Sequence, residues 1–135
     1  MRPKEYQSLY NAARQALKNS YSPYSKFPVG AALLTKTGQV FVGTNIENAS
    51  YGLTICAERV AMFNAVSRGK RSFAAIAVAA KFPGACAPCG ACRQVIFEFG
   101  QGISVVYQNE SGHLLVKSIA DLLPDGFGLQ DLNQK

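Results

Sequence analysis

Phe73-Ala74-Ala75-Ile76-Ala77-Val78-Ala79-Ala80 is an uncharged apolar run of strand length. A strand with one wet face alternates apolar and polar residues, so a run that is apolar throughout reads as buried on both faces. On either side, Cys56 to Arg68 and Cys89 to Phe99 read as helices, and Ile103 to Gln108 reads as another strand. Such alternation gives parallel strands with helices on the sheet faces. Upstream, Val29 to Leu34 and Val40 to Gly43 are β-prone and flank Thr35-Lys36-Thr37-Gly38, a hairpin turn that makes the first two strands antiparallel. Tyr6, Leu9, Tyr10, Ala13 and Leu17 recur at helical spacing until Tyr21-Ser22-Pro23-Tyr24 breaks the pattern, which predicts an amphipathic first helix. Ser118 followed by Asp121 predicts a capped short helix that runs to Leu123 and stops at Pro124.

The 135 residues are one domain's worth, long enough to bury a core, and residues 1–135 read as a single α/β domain without repeats or linkers. A hydrophobic share of 48% leaves apolar surface for other copies of the chain to cover. The formal charge is +6, but the Lys and Arg are dispersed apart from Arg68-Gly69-Lys70-Arg71. That cluster reads as a helix end, where cations complement the carbonyl pole and Gly69 suits a left-handed cap, and not as a nucleic-acid surface. Met1-Arg2-Pro3-Lys4-Glu5 has no apolar signal core behind it, and no run approaches the roughly twenty apolar residues that span a bilayer. The expected location is cytoplasmic, with no membrane partner. In that reducing setting four Cys are better read as metal ligands or buried thiols than as a disulfide framework.

The chemistry gathers in Cys56-Ala57-Glu58 and Pro88-Cys89-Gly90-Ala91-Cys92. Three thiolates, Cys56, Cys89 and Cys92, would hold one tetrahedral Zn²⁺ per chain and leave one position open for water, with Glu58 close by to move that water's protons. Cys56 and Cys89 each fall at the start of a predicted helix. The exposed N–H groups and positive poles there stabilise the excess negative charge of a zinc trithiolate, and Arg59 adds a full positive charge. Cys89 and Cys92, three residues apart, share one face of a first helical turn. A closed four-cysteine site that includes Cys86 is the competing structural reading. It leaves Glu58 without a task, and Cys86 precedes Pro88 in an irregular loop.

Four stretches in order then carry a resemblance: Phe27-Pro28-Val29-Gly30-Ala31-Ala32, Asn45-Ile46-Glu47-Asn48, Cys56-Ala57-Glu58-Arg59 and Pro88-Cys89-Gly90-Ala91-Cys92-Arg93-Gln94. Together they resemble the small homotetrameric zinc-dependent cytidine deaminases, from the first helix through Leu122-Leu123-Pro124. The resemblance implies a three-layer α/β/α fold around a mixed five-stranded sheet. It also implies hydrolytic deamination of cytidine and 2′-deoxycytidine to uridine and 2′-deoxyuridine, in pyrimidine salvage. Glu58 is then the proton-transfer group, Asn45 and Glu47 the ribose-binding pair, and the backbone of Ala57 and Cys89 meets the base edge. Phe127, in Pro124-Asp125-Gly126-Phe127-Gly128, matches a Phe that reaches a neighbouring subunit's site, so the implied homotetramer shares its active sites.

Phe27 offers a flat apolar face for stacking on the base, with Tyr24 and Tyr51 as further pocket candidates; for each of these aromatics and for Phe127 the competing role is packing. Asn45 and Glu47 have a competing role as loop caps. The lone histidine, His113, lies in the turn-like Glu110-Ser111-Gly112-His113 and reads as solvated, which removes the base that a Cys-His hydrolase needs. Two other functions remain open at this level: a zinc-stabilised interaction module, and a related deaminase acting on a nucleoside antibiotic such as blasticidin S. Asn45-Ile46-Glu47-Asn48 favours cytidine.

Overall fold

The computed structural model describes residues 1–81 and 86–132. Its elements are α1 (Pro3–Ala16), β1 (Val29–Thr35), β2 (Val40–Thr44), α2 (Ala57–Ser67), β3 (Phe73–Ala80), α3 (Gly90–Glu98), β4 (Ser104–Gln108), β5 (Leu114–Ser118), α4 (Ile119–Leu122) and α5 (Leu129–Leu132), with single 3₁₀ turns at Leu17–Asn19 and Tyr51–Leu53. The five strands form one mixed sheet in the order β2-β1-β3-β4-β5. β1 runs antiparallel to both β2 and β3, β3 and β4 are parallel, and β5 returns antiparallel to β4.

Strand alternation sorts the core into two clusters. Ala31 and Leu33 of β1, Ile76 of β3, and Val105 and Tyr107 of β4 meet Ala57, Ala61, Met62 and Ala65 of α2 and Ile96 and Phe97 of α3. On the other face Ala32, Ala75, Ala77, Ala79 and Val106 meet Leu9, Tyr10 and Ala13 of α1. One helix therefore covers one face and α2 with α3 cover the other. This is the three-layer arrangement expected, and it is why β1 and β3 are apolar at nearly every position. The alanine-rich face lets α1 lie close to the sheet.

Two glycines set how near the helices come. A Cβ on Gly30 would fall 2.1 Å from the Ala13 carbonyl oxygen of α1, and one on Gly43 would fall 2.4 Å from Ala61 N and 2.7 Å from Ala57 O of α2. These contacts are with helix backbone, which cannot rotate aside. Gly43→Ala is expected to push α2 off β2 and cost about 1–3 kcal/mol or more. Thermal unfolding would show a melting point several degrees lower, and a variant that melts with the native chain would contradict the close approach.

The ends of α2 follow local rules. Gly69 takes φ +86°, the Gly69 N–H donates to Val66 O at 3.0 Å, and the Lys70 N–H donates to Ala65 O at 3.1 Å. This pair of bonds is the Schellman arrangement. Arg71 Nη1 donates to Val66 O at 2.7 Å, so one cation of the basic cluster serves the helix end, while Arg68 lies 6.0 Å over the Phe41 ring of β2. At α4 the Asp121 N–H donates to the Ser118 hydroxyl at 3.2 Å, the cap expected there. One strand departs from the residue pattern. Leu114–Ser118 is strand β5, where the residue pattern marks only a turn before the last helix. It is a short edge strand with partly exposed residues and little alternation. His113 is exposed in the β4–β5 turn, as expected.

Candidate active site

The N-termini of α2 and α3 come together on one face of the sheet. Cys56 is the N-cap of α2 and Cys89 the N-cap of α3, both in extended conformation, while Cys92 is buried one turn into α3. Their Sγ atoms all lie within 4.8 Å of one another, and Cys56 and Cys89 are 3.8 Å apart. A tetrahedral zinc with Zn–S bonds of about 2.3 Å places its sulfurs about 3.8 Å apart, so the donor set and spacing fit that ion. Cys86 is half-buried nearby but is not part of this group.

Electrostatics favours negative charge here. Arg59 Nη2 donates to Cys56 Sγ at 3.4 Å, which the first turn of α2 makes possible by setting residues three apart on one face. A hydrogen bond from the Cys92 thiol, helped by Arg59 and Cys89, brings Cys56 down to about 5. Cys92, on the proton-bearing side of that same bond and desolvated, is pushed up. The hydrogen bond to Cys56 likewise holds the Arg59 guanidinium charged. Arg59 Nε is buried without an acceptor among the described residues. Glu58 is 5% exposed. Burial, aided by the Cys56 charge, raises its carboxyl to about 7, and burial also raises the Cys86 thiol to about 11.

A cavity of about 210 Å³ opens beside these groups, lined by Val29, Asn45, Thr54 and Ile55 together with Cys56, Ala57, Glu58, Cys86, Ala87 and Cys89. A second, of about 400 Å³, is lined by Tyr24, Ser25, Glu47, Tyr51 and Thr54. Thr54 borders both, so the cavity with the sulfurs and the Glu58 carboxyl and the cavity with the Glu47 carboxylate are neighbours. Nothing in the sequence marks Thr54 or Ser25; each is an unremarkable hydroxyl in a loop until the fold brings it to the cavity.

Asn45 and Glu47 reach the site through the chain that follows β2, and both brace the loop ahead of β1. The Asn45 Oδ1 accepts from the Val29 N–H at 3.0 Å and from the Ser20 hydroxyl, and its Nδ2 donates to Phe27 O at 2.8 Å. The Glu47 carboxylate accepts from the Tyr24 and Ser25 N–H groups at 2.9 and 3.1 Å and from the Ser25 hydroxyl. The Ser25 hydroxyl bond is the main reason its carboxyl is held below the usual range. Tyr24 and Tyr51 meet edge to face, centroids 5.7 Å apart, on the rim of the larger cavity. Phe27 is half-buried in the braced loop. Phe127 lines neither cavity; it is 56% exposed, and its carbonyl accepts from Gln94 Nε2 at 2.7 Å.

Comparison with known proteins adds sequence and fold. The family model for the cytidine and deoxycytidylate deaminase zinc-binding region matches residues 3–108. The cytidine deaminase of Sporosarcina psychrophila is 49% identical over 130 residues, covering 96% of each chain. That of Halalkalibacterium halodurans is 50% identical over 128 residues, covering 94% of this chain and 97% of its own. The crystal structure of cytidine deaminase from Burkholderia pseudomallei superposes with a TM-score of 0.84 at 53% identity, covering 90% of this chain and 98% of the other.

Proposed function

This chain belongs to the cytidine and deoxycytidylate deaminase family, and from that premise we propose that it hydrolyses cytidine and 2′-deoxycytidine to uridine and 2′-deoxyuridine with release of ammonia. The observation that carries this reading is Glu58, a buried carboxyl sharing one cavity with two of the three clustered thiols. A zinc ion held by Cys56, Cys89 and Cys92 supplies Lewis-acid activation of water, whose pKa it can lower to about 7. Glu58 accepts one proton of the attacking water and passes it to N3 so that C4 becomes electrophilic, then takes the second from the hydroxyl now on C4 and passes it to the departing amine. The C4–O bond forms, the C4–N4 bond breaks, and the carboxyl ends the cycle as it began. A carboxyl raised to about 7 can exchange protons in both directions near neutral pH.

Asn45, which lines the smaller cavity, and Glu47, which lines the larger, bind the ribose hydroxyls, the backbone of Ala57 and Cys89 meets the base edge, and Phe27 stacks on the ring. Tyr24 and Tyr51 close the rim, and Arg59 offsets the thiolate charge. Phe127 serves a neighbouring chain's site in a homotetramer. This is supported by its exposure away from its own cavities and by the exposed Phe63, Leu129 and Leu132. Residues 1–135 make up one catalytic domain. Among the described residues no helix is long and apolar enough to cross a membrane, and free thiols as ligands suit the reducing cytoplasm.

The test is the absorbance lost when cytidine, deoxycytidine or blasticidin S is mixed with the zinc-loaded protein. Rapid loss with the two nucleosides is expected, and loss with the antibiotic alone would overturn the assignment. Cytidine 3′-phosphate in the same assay should be turned over at least about a hundredfold less efficiently. Like charges brought together at close range repel, and Glu47 is held ionised by its three donors. Equal turnover of the 3′-phosphate would remove Glu47 from the ribose site.

A further inference from the structure

Arg93 lies one turn along α3 from Cys89 and is half-buried. Its Nε donates to the Pro88 carbonyl at 2.8 Å and its Nη1 to the Leu122 carbonyl of α4 at 2.9 Å. The guanidinium thus spans the residue before a metal-ligand candidate and the end of the last helix before Pro124. Its rigid fork of donors suits two fixed acceptors, as the single ammonium of a lysine does not.

We infer that Arg93 is a positioning residue for the reaction, holding the Pro88–Cys89 peptide so that the Cys89 N–H is aimed into the cavity. The inference rests on the reading of that cavity as the nucleoside's base site. Pro88 O and Cys89 N–H belong to one planar trans unit, in which carbonyl and N–H point in opposite directions. Anchoring the oxygen therefore fixes the direction of the N–H. The anchor is firm, because the Pro88 ring is fully buried and Leu122 O is held by the same guanidinium. Cys89 itself lines the cavity, and among the described residues no acceptor takes its N–H. A carbonyl polarised by a guanidinium also makes the N–H of the same peptide a stronger donor. The Ala57 N–H, on α2, has no link to Arg93 and serves as an internal control.

Titrating the unreactive product uridine into ¹⁵N-labelled, zinc-loaded protein reads both amides together. In the native chain the Ala57 and Cys89 resonances should both shift. In Arg93→Lys, which keeps the charge but loses the fork, the Cys89 shift at saturation should fall by at least half while the Ala57 shift is retained. kcat/KM for cytidine should drop at least tenfold with one zinc per chain still bound. Arg93→Gln, run alongside with its melting point, covers the case in which the lysine variant fails to fold. Equal Cys89 responses and kcat/KM within twofold of native would overturn the inference. So would collapse of the Ala57 and Cys89 responses together, which would make Arg93 a general brace. A native chain whose two amides both ignore uridine would instead overturn the base-site reading on which the inference stands.

Discussion

Glu58→Gln is expected to bind one zinc per chain and to lose at least about 10⁴-fold in kcat for cytidine. General acid–base groups contribute about 10²–10⁴-fold each, and Glu58 has both protons of the attacking water to accept and deliver, a task that a glutamine amide cannot perform. The isosteric amide fits a site that is 5% exposed and leaves the three sulfurs untouched. Because burial disfavours the ionised carboxylate, removing the charge should not weaken the fold. Zinc analysis and melting temperature should therefore match the native chain while turnover disappears. Activity within tenfold of native would assign the proton transfers to another group, and loss of zinc would make Glu58 part of the metal's support.

Cys92→Ala is expected to release the metal and abolish deamination, whereas Cys86→Ala should keep one zinc per chain. Cys92 is fully buried and lies within 4.8 Å of the other two sulfurs, so its loss leaves two ligands for an ion that needs three from the protein. The fold should suffer as well. A bound ion at a thousandfold excess over its dissociation constant stabilises the native state by about 4 kcal/mol, and Cys92→Ala forfeits that term together with its packing. Cys86 stands outside the cluster, so its removal leaves all three sulfurs in place. Metal analysis and melting curves of the two variants distinguish an open three-sulfur site from a closed four-sulfur one. Zinc lost from Cys86→Ala and kept by Cys92→Ala would reverse the ligand set.

Much of the architecture could be read along the chain because local rules and tertiary packing agree there. Phe73–Ala80 is apolar throughout because it lies between two helical layers, and the turn at Gly38 takes φ +95°, as a hairpin there requires. β5 is different: its residues are partly exposed at a sheet edge, so burial imposes little periodicity. The residue pattern accordingly supplied four strands, and the resemblance supplied the fifth. A loop-capping role for Asn45 and Glu47 was among the readings of the sequence, but its partners were not. Their role as loop braces depends on Ser20, Tyr24, Ser25 and Val29 arriving from a distant part of the chain.

By itself the amino-acid sequence determined which groups could do chemistry. Three thiols and a carboxyl at fixed offsets, each pair near a helix start, are consequences of residue order and of the 3.6-residue turn. Only the tertiary structure decided that the N-termini of α2 and α3 converge to bring sulfurs 33 residues apart to 3.8 Å. It alone left Cys86 outside that cluster and set the two cavities side by side at Thr54. The reason is that local spacing sets directions within one element, while distances between elements depend on how closely the helices settle on the sheet, and here Gly30 and Gly43 set that approach.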